Sequence, residues 1–126
     1  LQHTDDVAHA NGTGSAAFEA AVRDADARVG RIWAAVQQRA ALGEEWMLVV
    51  TTDHGRDPLT GKGHGGQSER ERTTWIVTNR QPLTDRFARG EGTIVDIAPT
   101  ILQHLGVSVP AAVAKVFEGV SLLRAR

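Results

Sequence analysis

Between Ser15 and Leu42 the apolar positions Phe18, Val22, Ala25, Val29, Ile32 and Val36 recur at steps of four, three, four, three and four. That spacing predicts one stripe of a long amphipathic helix, with Glu19, Arg23, Asp24, Arg28, Arg31 and Arg39 on its other side and Gly43 as its stop. The pattern then changes period. Trp46–Thr52 is a short apolar run with little polar alternation, as expected of a strand buried on both faces of a parallel sheet. Gly55–Gly66 reads as a loop, and Thr73–Thr78 as a second buried strand. Asp96 is placed to cap a helix from about Ile97 to Leu105, with Pro99 in its first turn and Gly106 as its stop. Val116–Leu123 reads as a turn followed by a possible terminal strand. At the other end, Leu1–Thr4 reads as the end of a strand, as though the chain had been cut inside a domain. No internal repeat or low-complexity linker interrupts the series.

Strands alternating with helices imply an α/β sheet with crossover helices. Ligands of such sheets bind beyond the carboxyl ends of the strands, which directs attention to the residues after Thr4 and after Thr52.

Composition narrows the picture. The 126 residues suffice for one domain, and 41% of them are hydrophobic, which suits a packed core. A formal net charge of −1 offers no basic face for a nucleic-acid polymer. No run is long and apolar enough to span a bilayer. With no cysteine, disulfides and thiolate metal sites are excluded. The compartment is not legible.

Candidate chemistry falls where the strand-end rule points. Asp5 and His9 are four residues apart and share a face if the segment makes a helical turn. Carboxylate with imidazole suits zinc or manganese, although the spacing alone equally describes a surface turn. Asp53 and His54 follow the apolar run directly. Adjacent strand residues point to opposite faces, so both can meet one ion only if the chain leaves the strand there, which Gly55 permits. His64 lies in Gly63-His64-Gly65-Gly66, where the glycines allow backbone and ring to approach an ion, or merely make a flexible loop. His3, inside the first strand end, and His104, late in a helix where the dipole favours imidazole, need no further explanation. Lys62 and Arg72 flank the His64 loop and are read as solvated charges.

The ordered set resembles a known family. Asp5-Asp6-Val7-Ala8-His9-Ala10-Asn11-Gly12 resembles the Asp-x-x-x-His-x-x-Gly element of the type I phosphodiesterases and nucleotide pyrophosphatases of the alkaline phosphatase superfamily. Val49–Gly55 resembles their strand ending in Asp-His-Gly, and Gly63–Gly66 resembles their next metal loop. Asp96–Leu102 with Leu105-Gly106 resembles a helix shared with sulfatases, and Glu118–Leu122 resembles a short element near the domain end.

The resemblance implies a three-layer sandwich with a mostly parallel sheet, of which residues 1–126 would be the C-terminal portion, incomplete at its N-terminal side. It implies two divalent ions, zinc or manganese. Asp5, His9 and His64 would hold one, and Asp53 and His54 half of the other. The substrate would be a small phosphate ester. The hydroxyl nucleophile is expected upstream of this chain, because Thr13 and Ser15 open the long helix rather than follow a strand. Phosphomutases share similar metal motifs. Sulfatases resemble a one-calcium, carboxylate-rich pattern, against which the pairing of His9 with His64 argues. A non-catalytic metal-binding module is the reading outside the enzyme class.

Overall fold

The structure is a computed structural model and describes residues 2–125. The chain falls into two compact units. One takes in the chain up to Trp46 and His54–Thr73, and the other Met47–Asp53 and the chain from Thr74 onward.

The first unit is helical. Helix α1 spans Gln2–Asn11 and α2 spans Ala16–Ala40. The strand end expected at Leu1–Thr4 is absent: Leu1 lies outside the described residues, and Gln2–Thr4, with His3, are the first turn of α1. Four residues are too few to reveal a period, and the helix that contains Gln2–Thr4 continues through Asp5–Asn11. Ser15 caps α2, its Oγ accepting from the Phe18 N–H at 3.1 Å and donating to the Gly12 carbonyl at 2.8 Å. The hydroxyl is thus committed to capping.

The two helices pack through small residues. Ala8 on α1 is fully buried, as are Ala21 and Val36 on α2 to within 8%. The buried stripe of α2 is therefore rotated from the expected one. Phe18, Ala25 and Val29 lie partly inside, while Val22 and Ile32 remain about half exposed. Alanine permits close approach of two backbones, and Ala21 lies outside the stripe that the apolar spacing picks out. The rest of this unit is the loop after His54 and a four-residue helix, α3 (Glu69–Arg72), closed by a capping box between Ser68 and Glu71.

The second unit carries the strands. β1 is Val49–Thr51 and β2 is Ile76–Thr78, shorter than the runs predicted for them. They pair antiparallel, Val49 with Thr78, Val50 with Val77 and Thr51 with Ile76. Side-chain bonds extend the pairing, from the Leu48 N–H to Asn79 Oδ1 at 2.7 Å and from Thr51 Oγ1 to the Trp75 carbonyl at 2.7 Å. The parallel arrangement and two-sided burial expected from the apolar runs are not what these two strands adopt, and Val77 is 59% exposed. An apolar run records a tendency to burial and says nothing of direction. A parallel pair needs a crossover of a dozen or more residues, usually helical, and the segment joining β1 to β2 contains only α3. The observed fold is thus α/β in content, with one small antiparallel sheet among the described residues.

Helix α4 (Asp85–Ala88), a 3₁₀ turn at Ile94–Asp96, α5 (Ile97–His104) and α6 (Ala111–Ala114) complete the unit. Asp96 precedes α5 as expected, but it does not cap by its side chain. Its carboxylate is fully buried and accepts from the Thr93 N–H at 2.7 Å, Thr93 Oγ1 at 2.9 Å, the Val120 N–H at 2.8 Å and Arg86 Nη1 at 2.6 Å. The 3₁₀ turn before α5 places Asp96 in helical conformation, so its carboxylate turns back on Thr93 and across to Val120. Burial alone would raise this carboxyl, but the N–H groups of Val120 and Thr93, with Arg86, hold it below the ordinary range. Thr100 continues the connection, its Oγ1 donating to the Asp96 carbonyl and accepting from the Leu122 N–H. The terminal strand anticipated over Val116–Leu123 reduces to one antiparallel bridge, Leu83 to Leu123. Among the described residues, no helix is long and apolar enough to cross a membrane.

Candidate metal centre

Helix α1 settles the geometry of the first pair. Four residues apart on one helix, Asp5 and His9 face the same way, and Asp5 Oδ2 lies 3.5 Å from His9 Nε2. His64 arrives from the loop. Its Nε2 is 3.1 Å from His9 Nε2 and 3.7 Å from Asp5 Oδ1. One ligand atom from each of the three lies within 4.8 Å of the others.

These separations suit a shared cation. Metal bonds of about 2.0–2.2 Å in a tetrahedral arrangement separate the ligand atoms by roughly 3.3 Å. The His9–His64 separation of 3.1 Å and the 3.5 Å from His9 to Asp5 Oδ2 bracket that value, while the 3.7 Å from His64 runs to the other carboxylate oxygen, Oδ1. The donor chemistry agrees, since two imidazole nitrogens and a carboxylate oxygen are borderline ligands of zinc type.

His54 joins the same group. Its ring stacks on that of His64, with centroids 3.9 Å apart and planes at 16°, and its Nε2 is 3.9 Å from Asp5 Oδ1. His54 Nδ1 is 2.8 Å from the Gly55 carbonyl, which can only accept, so Nδ1 carries a proton. In the neutral ring the Nε2 lone pair is then the one directed elsewhere. This second-sphere arrangement is common around metal-binding histidines. Asp53, exposed at a bend after β1, belongs with the strand-bearing unit. The strand has ended by then, so strand alternation no longer constrains the Asp53-His54 pair. Of the residues singled out in the sequence, Asp5, His9, His54 and His64 gather in one place.

The loop that carries His64 is anchored on both sides. Before it, Asp57 accepts from the N–H groups of Leu59, Thr60 and Gly63 and from Thr60 Oγ1. The Thr60 and Gly63 N–H groups lead in holding its carboxyl far below the usual range. After it, Glu71 accepts from the Ser68 hydroxyl and the Gly66 N–H, which lower its carboxyl too. Two glycines let this loop lie close to its neighbours. A Cβ on Gly61, which has φ +64°, would sit 2.0 Å from Thr13 Oγ1, and one on Gly55 would sit 1.9 Å from the Arg70 carbonyl. Gly55, chosen from sequence as a device for leaving the strand, therefore serves instead to admit the α3 backbone, whose Glu71 carbonyl accepts its N–H at 2.7 Å.

Arg56 was not singled out by the sequence. It lies between the histidine and loop motifs with no spacing to mark it, yet its guanidinium donates to Asp5 Oδ1. Only the adjacency of an Arg to the Asp53-His54-Gly55 element could have drawn attention to it.

Residues 1–121 match the type I phosphodiesterase / nucleotide pyrophosphatase family, and the chain belongs to that family, within the alkaline phosphatase superfamily. It is similar to the 2,3-bisphosphoglycerate-independent phosphoglycerate mutase of Gluconobacter oxydans (strain 621H), with 37% identity over 128 residues covering 94% of this chain and 21% of that protein. It is also similar to the protein of that name from Shewanella sp. (strain W3-18-1), at 33% over 99 residues, covering 75% and 18% of the two chains. A phosphopentomutase of Methylobacterium sp. (strain 4-46) is 35% identical over 95 residues, covering 75% and 21%. The chain spans about a fifth of the length of these curated relatives. No solved structure gives a significant match.

Proposed function

We propose that this chain carries the metal-ligand part of a phosphoryl-transfer centre that hydrolyses a small phosphate ester. In this reading it is the C-terminal portion of one alkaline phosphatase-like catalytic domain, a three-layer α/β sandwich whose mostly parallel sheet is built largely by other segments. The observation that carries it is the meeting of Asp5, His9 and His64, with one ligand atom from each within 4.8 Å of the others. A lone surface turn has no reason to bring a carboxylate and two imidazoles together from α1 and a distant loop.

Asp5, His9 and His64 would hold one divalent ion, zinc or manganese. Asp53 and His54 would contribute to a second, together with an aspartate and a Ser or Thr nucleophile supplied by residues outside this chain. Such ions, when bound, supply positive charge that favours a deprotonated nucleophile and offsets charge on the phosphoryl oxygens. The role of this chain's own residues is to place that charge: α1 fixes two ligands on one face, and the anchored loop presents the third.

A second reading, a phosphomutase, is favoured by similarity to the phosphoglycerate mutases and the phosphopentomutase. The same ligands would serve it, with the phosphoryl group returned to another hydroxyl of the substrate instead of water. The test is to supply zinc or manganese to the intact protein and assay a bis(nitrophenyl) phosphate, a phosphoglycerate and a pentose phosphate side by side. Diester hydrolysis lost in His64→Ala supports the hydrolase. Isomerisation without diester hydrolysis transfers the assignment to the mutase. Metal binding with neither activity leaves a non-catalytic module. The isolated chain should be inactive for want of an aligned hydroxyl, and robust turnover by it, lost in Asp53→Ala, would overturn the placement of the nucleophile.

A further inference from the structure

The guanidinium of Arg56 makes three contacts that together span the ligand triangle. Nη2 donates to Asp5 Oδ1 and, at 3.1 Å, to the Asp5 backbone carbonyl. Nη1 donates at 3.0 Å to the carbonyl of Lys62, two residues before His64. One rigid planar group thereby holds the helix bearing Asp5 and His9 against the loop bearing His64. Its side chain is only 10% exposed, whereas that of Asp5 is 34% exposed. A nearly buried guanidinium keeps its charge, and this one spends it on a single carboxylate oxygen. It occupies Oδ1 while Oδ2 remains directed at His9.

We propose that Arg56 is a positioning residue for the metal centre: it fixes the rotamer of Asp5 so that one carboxylate oxygen is reserved for the ion, and it sets the distance between the Asp5–His9 pair and His64. The inference rests on the reading of Asp5, His9 and His64 as metal ligands. Two features of guanidinium chemistry make the role specific to arginine. The fork reaches acceptors on two chain segments at fixed separation, which the single ammonium of lysine does not do. The positive charge also offsets part of the cost of holding a carboxylate beside the imidazoles of His9, His54 and His64.

The experiment uses the intact protein, freed of metal and titrated with cobalt(II), whose visible spectrum reports ligand number and geometry. Wild type, His64→Ala, Arg56→Ala, Arg56→Gln and Arg56→Lys are compared, each with its metal-free thermal transition. Loss of an outer partner of a metal ligand weakens affinity by about tenfold to a hundredfold, and that loss is expected for Arg56→Ala, with a changed cobalt spectrum. Arg56→Lys should fall between wild type and Arg56→Ala, since it keeps the charge on Asp5 but loses the tie to Lys62. If Arg56→Ala fails to fold, Arg56→Gln and Arg56→Lys give the same reading. A purely structural arginine would lower the metal-free transition while leaving cobalt affinity and spectrum at wild-type values, and that result overturns the proposal. A wild type that binds cobalt no better than His64→Ala overturns the metal reading itself, so the two failures are told apart.

Discussion

Asp5 and Asp96 are carboxylates treated in opposite ways by the two units of this chain. Asp96 is sealed: its side chain has no exposure, and two backbone N–H groups, a hydroxyl and a guanidinium satisfy it. Asp5 is a third exposed, takes one guanidinium on one oxygen, and meets the imidazoles of His9, His54 and His64 only at 3.5 to 3.9 Å. The first arrangement leaves no lone pair for a ligand. The second surrounds a carboxylate with groups that are themselves lone-pair donors when neutral, close enough to share a cation and too far to form strong hydrogen bonds with Asp5. A buried carboxylate with its donors complete is a structural tie. A carboxylate left incomplete among imidazoles is a place for chemistry.

The largest effect is expected for His64→Ala in the intact protein. Loss of one of three protein ligands should weaken the first metal site by on the order of a hundredfold or more, with turnover falling alongside. Near-normal metal content by elemental analysis would show His64 to be an ordinary loop residue.

Asp96→Ala should act on stability and leave the metal alone. It strands two backbone donors and the Thr93 hydroxyl and removes the partner of a one-third-exposed Arg86, a loss of about 3 kcal/mol. Urea unfolding measures it, and unchanged cobalt affinity completes the contrast with Asp5. A loss below half that size would mean that the surrounding donors find water.

The same carboxylate gives a pH dependence. The folded-state pKa of Asp96 is lowered, so its contribution is fully present above the unfolded value of about 3.9 and is lost as pH falls through the folded value. Wild type should therefore lose stability below about pH 4 more steeply than Asp96→Asn. Parallel curves would remove Asp96 from the account.

A smaller effect is expected for Gly61→Ala, which meets both a positive φ and Thr13. About 1–3 kcal/mol of strain should appear as lower stability with weakened cobalt binding, because the loop must lift from Thr13 and take His64 with it. Lys62→Ala should be smallest. Its carbonyl, not its ammonium, holds Arg56, and a change within about 0.5 kcal/mol is usual for exposed side chains. A large loss of metal affinity would assign the ammonium a role that the geometry does not give it.

What the sequence determined by itself was local. The i, i+4 spacing of Asp5 and His9 needed only one helical turn to become a pair, the step pattern from Phe18 to Val36 required a helix, and Ser15 capped it. The five ordered motifs were sufficient to place the chain in its family, because each is a short string whose chemistry survives without knowledge of its neighbours. What only the tertiary structure decided was every relation across long separations. The arrival of His64 at His9 and the grip of Arg56 on Asp5 join residues 55 and 51 positions apart, and the stacking of His54 on His64 joins two loop positions, for which no spacing rule exists. The direction of the strand pair and the closure of Asp96 by Val120 are of the same kind. Apolar runs and a helix-capping residue type specify burial and local bonding, while the partner is chosen by how the remaining chain packs.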